Sequence, residues 1–492
     1  ANGVGVLGIK AVQAGALSAE IDRPLPDDHP EMMDYKRAAG WRRLATEIGE
    51  DPADLAHRYA LTMDGVDTVV LGVKNRRELE MALPRKPKGH LFWSTIEASA
   101  EIGKGPRGGL ARLTLSPADG EVRDLFAEWC TDAGYALTVD RLGNMFARRR
   151  GSHDTLPPVV IGSHLDTQAA GGRFDGITGV LSGFEILRAL DDQEIETKRP
   201  IEVVNWTNEE GGRFPPPMLC SGVFAGVHEL DWALGRTDED GTTMAEALSA
   251  IGYAGDAPVG GREFDSYFEI HIEQGPALWE AGIKLGLVTG TYLARGMRIE
   301  VEGVNAHSGP TPMDRRRNAI VGAAAVALEV DRIGLKYADK DAKSTVARLE
   351  ASPNKPGIIS DRATLFVDFR APDPAVTDAM EAEIRQALAD CAQRSRTDIA
   401  IGDAWTFGTP VFDPELQDLV RSAAADQGVE LMELKSQAGH DAYNIARIAP
   451  TVLLFTPCDE GISHNEAENS SLEDQLPGVQ VLAEAVVARA NR

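Results

Sequence analysis

Histidines and carboxylates strung between residues 164 and 464, each at the end of an apolar run or in a glycine-rich turn, constrain how this chain can fold more than any other feature. His164 lies in Ile161-Gly162-Ser163-His164-Leu165-Asp166-Thr167 and Asp175 in Gly171-Gly172-Arg173-Phe174-Asp175-Gly176. The doublet Glu209-Glu210 follows a strand, and His271 sits in Glu269-Ile270-His271-Ile272-Glu273-Gln274-Gly275. His464 stands far downstream in Gly461-Ile462-Ser463-His464-Asn465-Glu466. Such groups are the ligand inventory of a hydrolytic metal site. A fold that uses them together must bring distant strand ends to one place, where open α/β sheets bind ligands.

Each residue also has an ordinary role. A histidine at a strand end is more often packed or solvated than a ligand, and Asp175, just before a helix, has the position of an N-cap. If Asp175 instead bridges two ions, both its oxygens are used. Glu209-Glu210 leaves an apolar strand and precedes Gly211-Gly212 rather than a helical face. Neighbouring carboxylates there can divide the work, Glu210 binding metal and Glu209 holding the proton taken from water. His271, in a period-two run, has the setting of a core histidine, and His464 that of a surface residue. Asp166, two residues after His164, has the place of a group that orients a ligand imidazole. The ordinary roles are credible singly and much less so all together.

The 492 residues are too many for one core, which predicts two or three domains. The net charge of −26 excludes nucleic acid and anionic membrane as expected partners, because both would be repelled. No basic segment with an apolar core opens the chain and no apolar stretch is long enough to span a bilayer, so the expected location is cytoplasmic. Cys130, Cys220, Cys391 and Cys458 lack CxxC spacing and are expected to be buried free thiols. The chain opens on Ala1 and a strand-like run, as a fragment or fusion would.

The hydrophobic pattern predicts α/β structure in several parts. Residues 3–12 and 67–73 read as strands; Asp51-Pro52 opens a helix over 53–63, and Asn75 caps another over 76–83, making 72–75 a candidate phosphate seat. Pro84-Arg85-Lys86-Pro87-Lys88-Gly89-His90 reads as a linker. Helices are expected over 92–102, 117–133 and 177–190, a hairpin turns at Gly143-Asn144, and strands cover 159–161 and 201–206. Residues 297–405 then read strand, helix (314–331), strand, strand, helix, strand, the split βαβ order of a compact α+β domain. It is inserted, because α/β structure resumes with a helix over 414–426, a strand over 451–455 and a closing helix over 472–489. The expected parts are 1–83, the linker 84–90, a catalytic domain in two pieces (91–295 and 407–492), and an inserted domain (296–406).

Two resemblances attach to these segments. Val6-Leu7-Gly8-Ile9-Lys10, Leu55-Ala56-His57-Arg58-Tyr59-Ala60-Leu61 and Val69-Val70-Leu71-Gly72-Val73-Lys74-Asn75-Arg76-Arg77-Glu78-Leu79 resemble the last part of an aldo-keto reductase barrel. The earlier strands that bring that family's catalytic Tyr, Lys, Asp and His have no counterpart, so reductase activity is not expected. A partial barrel leaves strand edges open and is expected to dock, pair with a copy, or stay poorly ordered. From about Leu91 on, the chain resembles the N-carbamoyl-L-amino acid hydrolase, β-ureidopropionase and allantoate amidohydrolase branch of the dinuclear-zinc aminoacylase and carboxypeptidase superfamily. The motifs are Gly162-Ser163-His164-Leu165-Asp166-Thr167, Asn208-Glu209-Glu210-Gly211, Ser221-Gly222-Val223-Phe224-Ala225-Gly226, His271-Ile272-Glu273-Gln274-Gly275-Pro276, Ala306-His307-Ser308-Gly309-Pro310-Thr311-Pro312-Met313 and Gly439-His440-Asp441-Ala442.

That resemblance implies an exopeptidase-like α/β catalytic domain with an inserted βαββαβ lid and dimerisation domain. It implies two divalent metal ions (Zn, or Mn, Co or Ni) on His164, Asp175, Glu210, His271 and His464, with Asp175 bridging and Glu209 as general base. His307 would reach a neighbouring active site across a homodimer to stabilise the oxyanion. Gln274, Arg370, Gly439 and His440 would bind substrate, Arg370 gripping a carboxylate. The implied activity is hydrolysis of N-carbamoyl-L-amino acids to the amino acid, CO2 and ammonia. Alternatives are allantoate or 3-ureidopropionate hydrolysis, a dipeptidase, or a non-catalytic nucleotide-binding or assembly module, against which the complete ligand set argues. Gly357-Ile358-Ile359-Ser360 replaces the family's usual Asn-x-Ile-Pro, which removes one expected amide contact to substrate.

Overall fold

The computed structural model describes residues 89–492 without a break and, before them, residues 7–8, 26, 29–47, 52 and 68–69. It divides into two units, Ala1–Lys86 and Pro87–Arg492. In the first, β1 (Leu7–Gly8) and β2 (Thr68–Val69), which lie within the two expected strands, pair in parallel. Helices Pro30–Arg37 and Ala39–Glu47 lie between them in sequence. The expected helices over 53–63 and 76–83 and the phosphate seat at 72–75 lie outside the described residues.

The second unit is built on an eight-stranded sheet. Its strands are β3 (Ala136–Val139), β4 (Met145–Arg149), β5 (Val159–His164), β6 (Ile201–Trp206), β7 (Ser266–Ile272) and β8 (Leu285–Thr291). After a second sheet, comprising β9 (Leu293–Glu302), β11 (Lys343–Ser352), β13 (Arg362–Ala371) and β14 (Asp398–Phe407), the chain returns with β15 (Leu431–Ser436) and β16 (Thr451–Thr456). A two-residue ladder, β10 (Ala306–His307) against β12 (Ile358–Ile359), comes from segments between the strands of the second sheet.

The order of the large sheet is β15-β8-β16-β7-β5-β6-β4-β3, and its centre, β16-β7-β5-β6, is parallel. Every residue of those four strands is buried, which is why they read as continuous apolar runs rather than alternating ones. Alternate residues serve two cores. Val159, Ile161, Val203 and Ile270 face one with Val180, Leu187 and Val486, while Val160, Val204, Tyr267 and Leu453 face the other with Trp206 and Phe146. The registers set His164 beside Trp206 and Phe455 beside His271, so the parallel strands end together.

The second sheet is antiparallel, in the order β11-β13-β9-β14, with helices Ala319–Lys336 and Pro374–Ser395 packed on one face. This is the expected βαββαβ order. The first helix starts five residues later than its pattern suggested: Met313–Arg315 is a single 3-10 turn, and the Asn318 side chain caps the helix by accepting from Ile320 N at 3.1 Å. Arg316 lies outside the helix because its guanidinium donates to the carbonyls of Thr311 and Ser308. No helix among the described residues is long and apolar enough to cross a membrane.

Candidate metal centre and active site

Four parallel strands deliver the site from their C-terminal ends. His164 is the last residue of β5, His271 the penultimate one of β7, Glu209-Glu210 follows β6, and His464 lies in the loop after β16. Asp175 comes from the turn that starts the helix Ile177–Asp192. That turn needs Gly176: its φ is +69°, and a Cβ there would stand 2.3 Å from the His164 ring.

Asp175 is the hinge of the arrangement. Its Oδ1 lies 3.0 Å from His271 Nε2 and 3.6 Å from His164 Nε2. Its Oδ2 lies 3.5 Å from His464 Nε2, which is also 3.3 Å from Glu210 Oε2. Two trios result, His164-Asp175-His271 and Asp175-Glu210-His464, with the ligand atoms of each within 4.8 Å of one another. One carboxylate thus offers one oxygen to each.

The donor chemistry fits divalent cations. His164 Nδ1 donates to the Asp166 carbonyl at 2.9 Å and His271 Nδ1 to the Ile272 carbonyl at 2.8 Å, which leaves both Nε2 atoms facing Asp175 and able to bind a cation when unprotonated. Gly176 N–H lies 3.0 Å from His271 Nε2 and donates to it only when that nitrogen is unprotonated. The orientation of His164 therefore runs through the backbone of Asp166. The Asp166 carboxylate is 3.9 Å from Nδ1, and its Oδ2 accepts from Glu210 N at 3.4 Å.

Without a cation, the neighbouring groups of this cluster shift one another in opposite directions. Burial works against charge on His271, yet Asp175 lifts it to about 9. Burial likewise opposes charge on His464, whose side chain is 52% exposed, and Glu210 and Asp175 lift it to about 10. Burial would raise Asp175, but His271, His464 and His164 carry it well below the usual carboxylate range. Glu209 goes the other way: burial first, then the charges of Asp441, Glu210 and Asp175, hold it well above the usual range. Its Oε2 is 3.5 Å from His164 Nε2, beside the ligands, in a setting where a carboxyl can take and return a proton.

A cleft opens over the cluster, lined by Asp175, Glu209, Glu210, His271 and His464 and by Gln274, Arg370 and Gly439. Arg370 is on β13, an interior strand and not a sheet edge, so the second sheet supplies a cleft wall. Asp368 accepts from Arg370 Nε at 2.7 Å and from Nη2 at 3.3 Å, and the Gln437 carbonyl accepts from Nη1 at 2.7 Å, fixing the guanidinium. Gln274, at φ +58°, already donates to Asp175 Oδ2 at 2.8 Å, so its amide serves the ligand as well as the cleft. His440 is placed differently from its expected substrate contact: it is buried behind His271, ring centroids 4.5 Å apart, and does not line the cleft. His307 is not among the cleft residues either; it is exposed on β10, and Gly309 N–H donates to its Nδ1 at 3.1 Å. The departing segment 357–360 is the partner of that short strand, with Ile358 opposite His307.

Several site residues went unseen in the sequence. Glu468 accepts from Phe174 N and Asp175 N; Ser463 Oγ donates to Asp175 Oδ2 at 2.9 Å; and Glu269, beneath His271, accepts from Ser163 Oγ and Ala442 N. Acidic residues such as Glu466 and Glu468 in a loop carry no local sign of burial. Met218, Tyr292 and Phe407 also line the cleft, with nothing local to mark them.

A parallel sheet whose strand ends carry two trios of metal-type ligands, with a buried carboxyl beside them, defines a hydrolytic enzyme. The chain belongs to peptidase family M20/M25/M40, whose profile matches residues 160–488. Residues 1–84 match the aldo/keto reductase family. The N-carbamoyl-L-amino-acid amidohydrolase of Rhizobium meliloti is 43% identical over 83% of this chain and 99% of that protein. An Arabidopsis thaliana ureidoglycolate hydrolase is 30% identical over 79% of this chain and 84% of its own length. The crystal structure of a hydantoinase/carbamoylase-family amidase from Burkholderia vietnamiensis superposes with a TM-score of 0.81 at 45% identity, covering 83% of this chain and 99% of the other.

Proposed function

We propose that this enzyme hydrolyses N-carbamoyl-L-amino acids to the free amino acid, CO2 and ammonia. The observation that carries the reading is Asp175, shared between two ligand trios with Glu209 beside them. His164 and His271 would hold one divalent cation, Glu210 and His464 the other, and Asp175 both. Such a pair, when bound, supplies an acidified water and polarises the carbonyl under attack. Glu209 takes the proton that water loses and returns it to the leaving nitrogen, so its carboxyl is charged and neutral in turn. Arg370, held by Asp368, presents its remaining N–H groups to the substrate carboxylate and orients the ureido group. Gln274 holds Asp175 and faces the same cleft.

The active form in this reading is a homodimer through the second sheet. Val321, Leu328 and Leu335 recur every seven residues on helix Ala319–Lys336 and are 51%, 70% and 71% exposed, and β11 is an open sheet edge. His307, exposed and outside the lining of its own cleft, is then available to the partner's oxyanion. Ammonia release from N-carbamoyl-L-amino acids, allantoate, ureidoglycolate and 3-ureidopropionate, with metal-loaded and chelated protein, tests the proposal. Metal-dependent release fastest with the carbamoyl compounds supports it. Silence on all four from folded, metal-loaded dimer overturns it, and preference for ureidoglycolate would move the assignment to that relative's reaction.

A further inference from the structure

The two loops that carry Asp175 and His464 meet on one side chain that none of the chemistry above uses. Glu468, 2% exposed, points into the turn 171–176: its Oε1 accepts from Phe174 N at 3.0 Å and from Asp175 N at 3.1 Å. Its Oε2 is 3.0 Å from Ser463 Oγ, which is itself 2.9 Å from Asp175 Oδ2. The turn is wrapped around this carboxylate so closely that a Cβ on Gly172 would stand 2.0 Å from it. Beside it, Arg173 Nη2 donates to Asn469 Oδ1 at 2.9 Å, a second tie between the same loops.

These contacts matter because His464 is the least supported ligand. It is half exposed, it has φ +51°, and it follows Gly461 at +69° in a loop with no strand pairing of its own. His164 and His271 ride on interior strands, whereas the position of His464 relative to Asp175 depends on how the two loops are joined. We propose that Glu468 is a positioning residue, joining the Asp175 turn to the His464 loop so that the Asp175-Glu210-His464 trio is formed before a cation arrives. This rests on the two-cation reading above. Two backbone N–H groups taken by one buried oxygen fix the Asp175 main chain, and the one hydroxyl proton of Ser463, beside His464 and within reach of both the Glu468 and Asp175 carboxylates, ties the His464 loop to the same turn.

Calorimetric titration of the chelator-stripped full-length protein with Zn2+, and the visible absorption of the Co2+-loaded protein, read the effect without substrate. Wild type is expected to bind two equivalents. Glu468→Ala should weaken the weaker equivalent by about tenfold or more and change the Co2+ spectrum. Glu468→Gln, whose amide oxygen still accepts both N–H groups, should stay within about threefold of wild type. Wild-type constants in Glu468→Ala, or equal weakening in Ala and Gln, would overturn the proposal. Should Glu468→Ala fail to fold, Ser463→Ala decides: a weaker second equivalent supports the clamp and unchanged binding refutes it. A wild-type protein that binds only one equivalent would instead remove the two-cation reading. Two ions bound without ammonia release would count against the substrate alone.

Discussion

At the scale of single residues, the site works by giving chemically similar groups different surroundings. Asp175 is held ionised by three histidines, while Glu209, among carboxylates, is pushed toward the protonated form. Their substitutions should therefore differ. Glu209→Gln is expected to retain both cations in a metal analysis while kcat for ammonia release falls about 10²–10⁴-fold, because only the proton carrier is lost. Retained activity would sink the assignment of Glu209 as base. Gly176→Ala should lose both activity and cation binding, with stability lower by about 1–3 kcal/mol in denaturant melts, since it meets a left-handed backbone and the His164 ring together. Residue identity was the most legible level: His164, Asp175, Glu209, Glu210, His271 and His464, singled out by type and position, come together in one cluster. The place of His440 behind His271 was not legible, because whether an imidazole faces a cleft or the back of another imidazole depends on the packing of β7 and β16.

Among elements, strand ends explain the site, and a helix face carries the proposed assembly. The strands β5, β6, β7 and β16 were visible in part as apolar runs because both sheet faces are covered. By contrast β15 alternates and lies at the sheet edge, and β8 mixes glycine and threonine with its apolar residues, so neither stood out. Helix Ala319–Lys336 began late because a cap and two carbonyl contacts outcompeted the arginine run before it. Its exposed seven-residue stripe makes the next prediction: Leu328→Arg combined with Leu335→Arg should convert dimer to monomer in light scattering, with secondary structure kept, and should depress activity if His307 acts across the interface. Monomeric wild type, or a dimeric variant, would exclude this face.

For the whole molecule, the proposed cations would be linked to folding. Held by the native cluster, they would have little to bind in the unfolded chain, so each at a hundred times its Kd should contribute about 2.7 kcal/mol, and chelation should lower Tm in a thermal scan. An unchanged Tm would mean that the trios do not hold metal. The first unit separates from the rest, and a chain starting at residue 87 is expected to keep ammonia release within about twofold of the full chain. Loss of folding on that truncation would show that the two depend on each other. Along the chain, ligand identities, central strands and the βαββαβ order were written in short-range pattern, since residue type and hydropathy period report which atoms are present and which face is covered. The distances that set each Asp175 oxygen against a different trio, the Arg370 wall and the Glu468 contacts came into view only in three dimensions. Each depends on a partner supplied by a segment far away in sequence, and no local pattern encodes the distance between a carboxylate and a loop that meets it only after the sheet has closed.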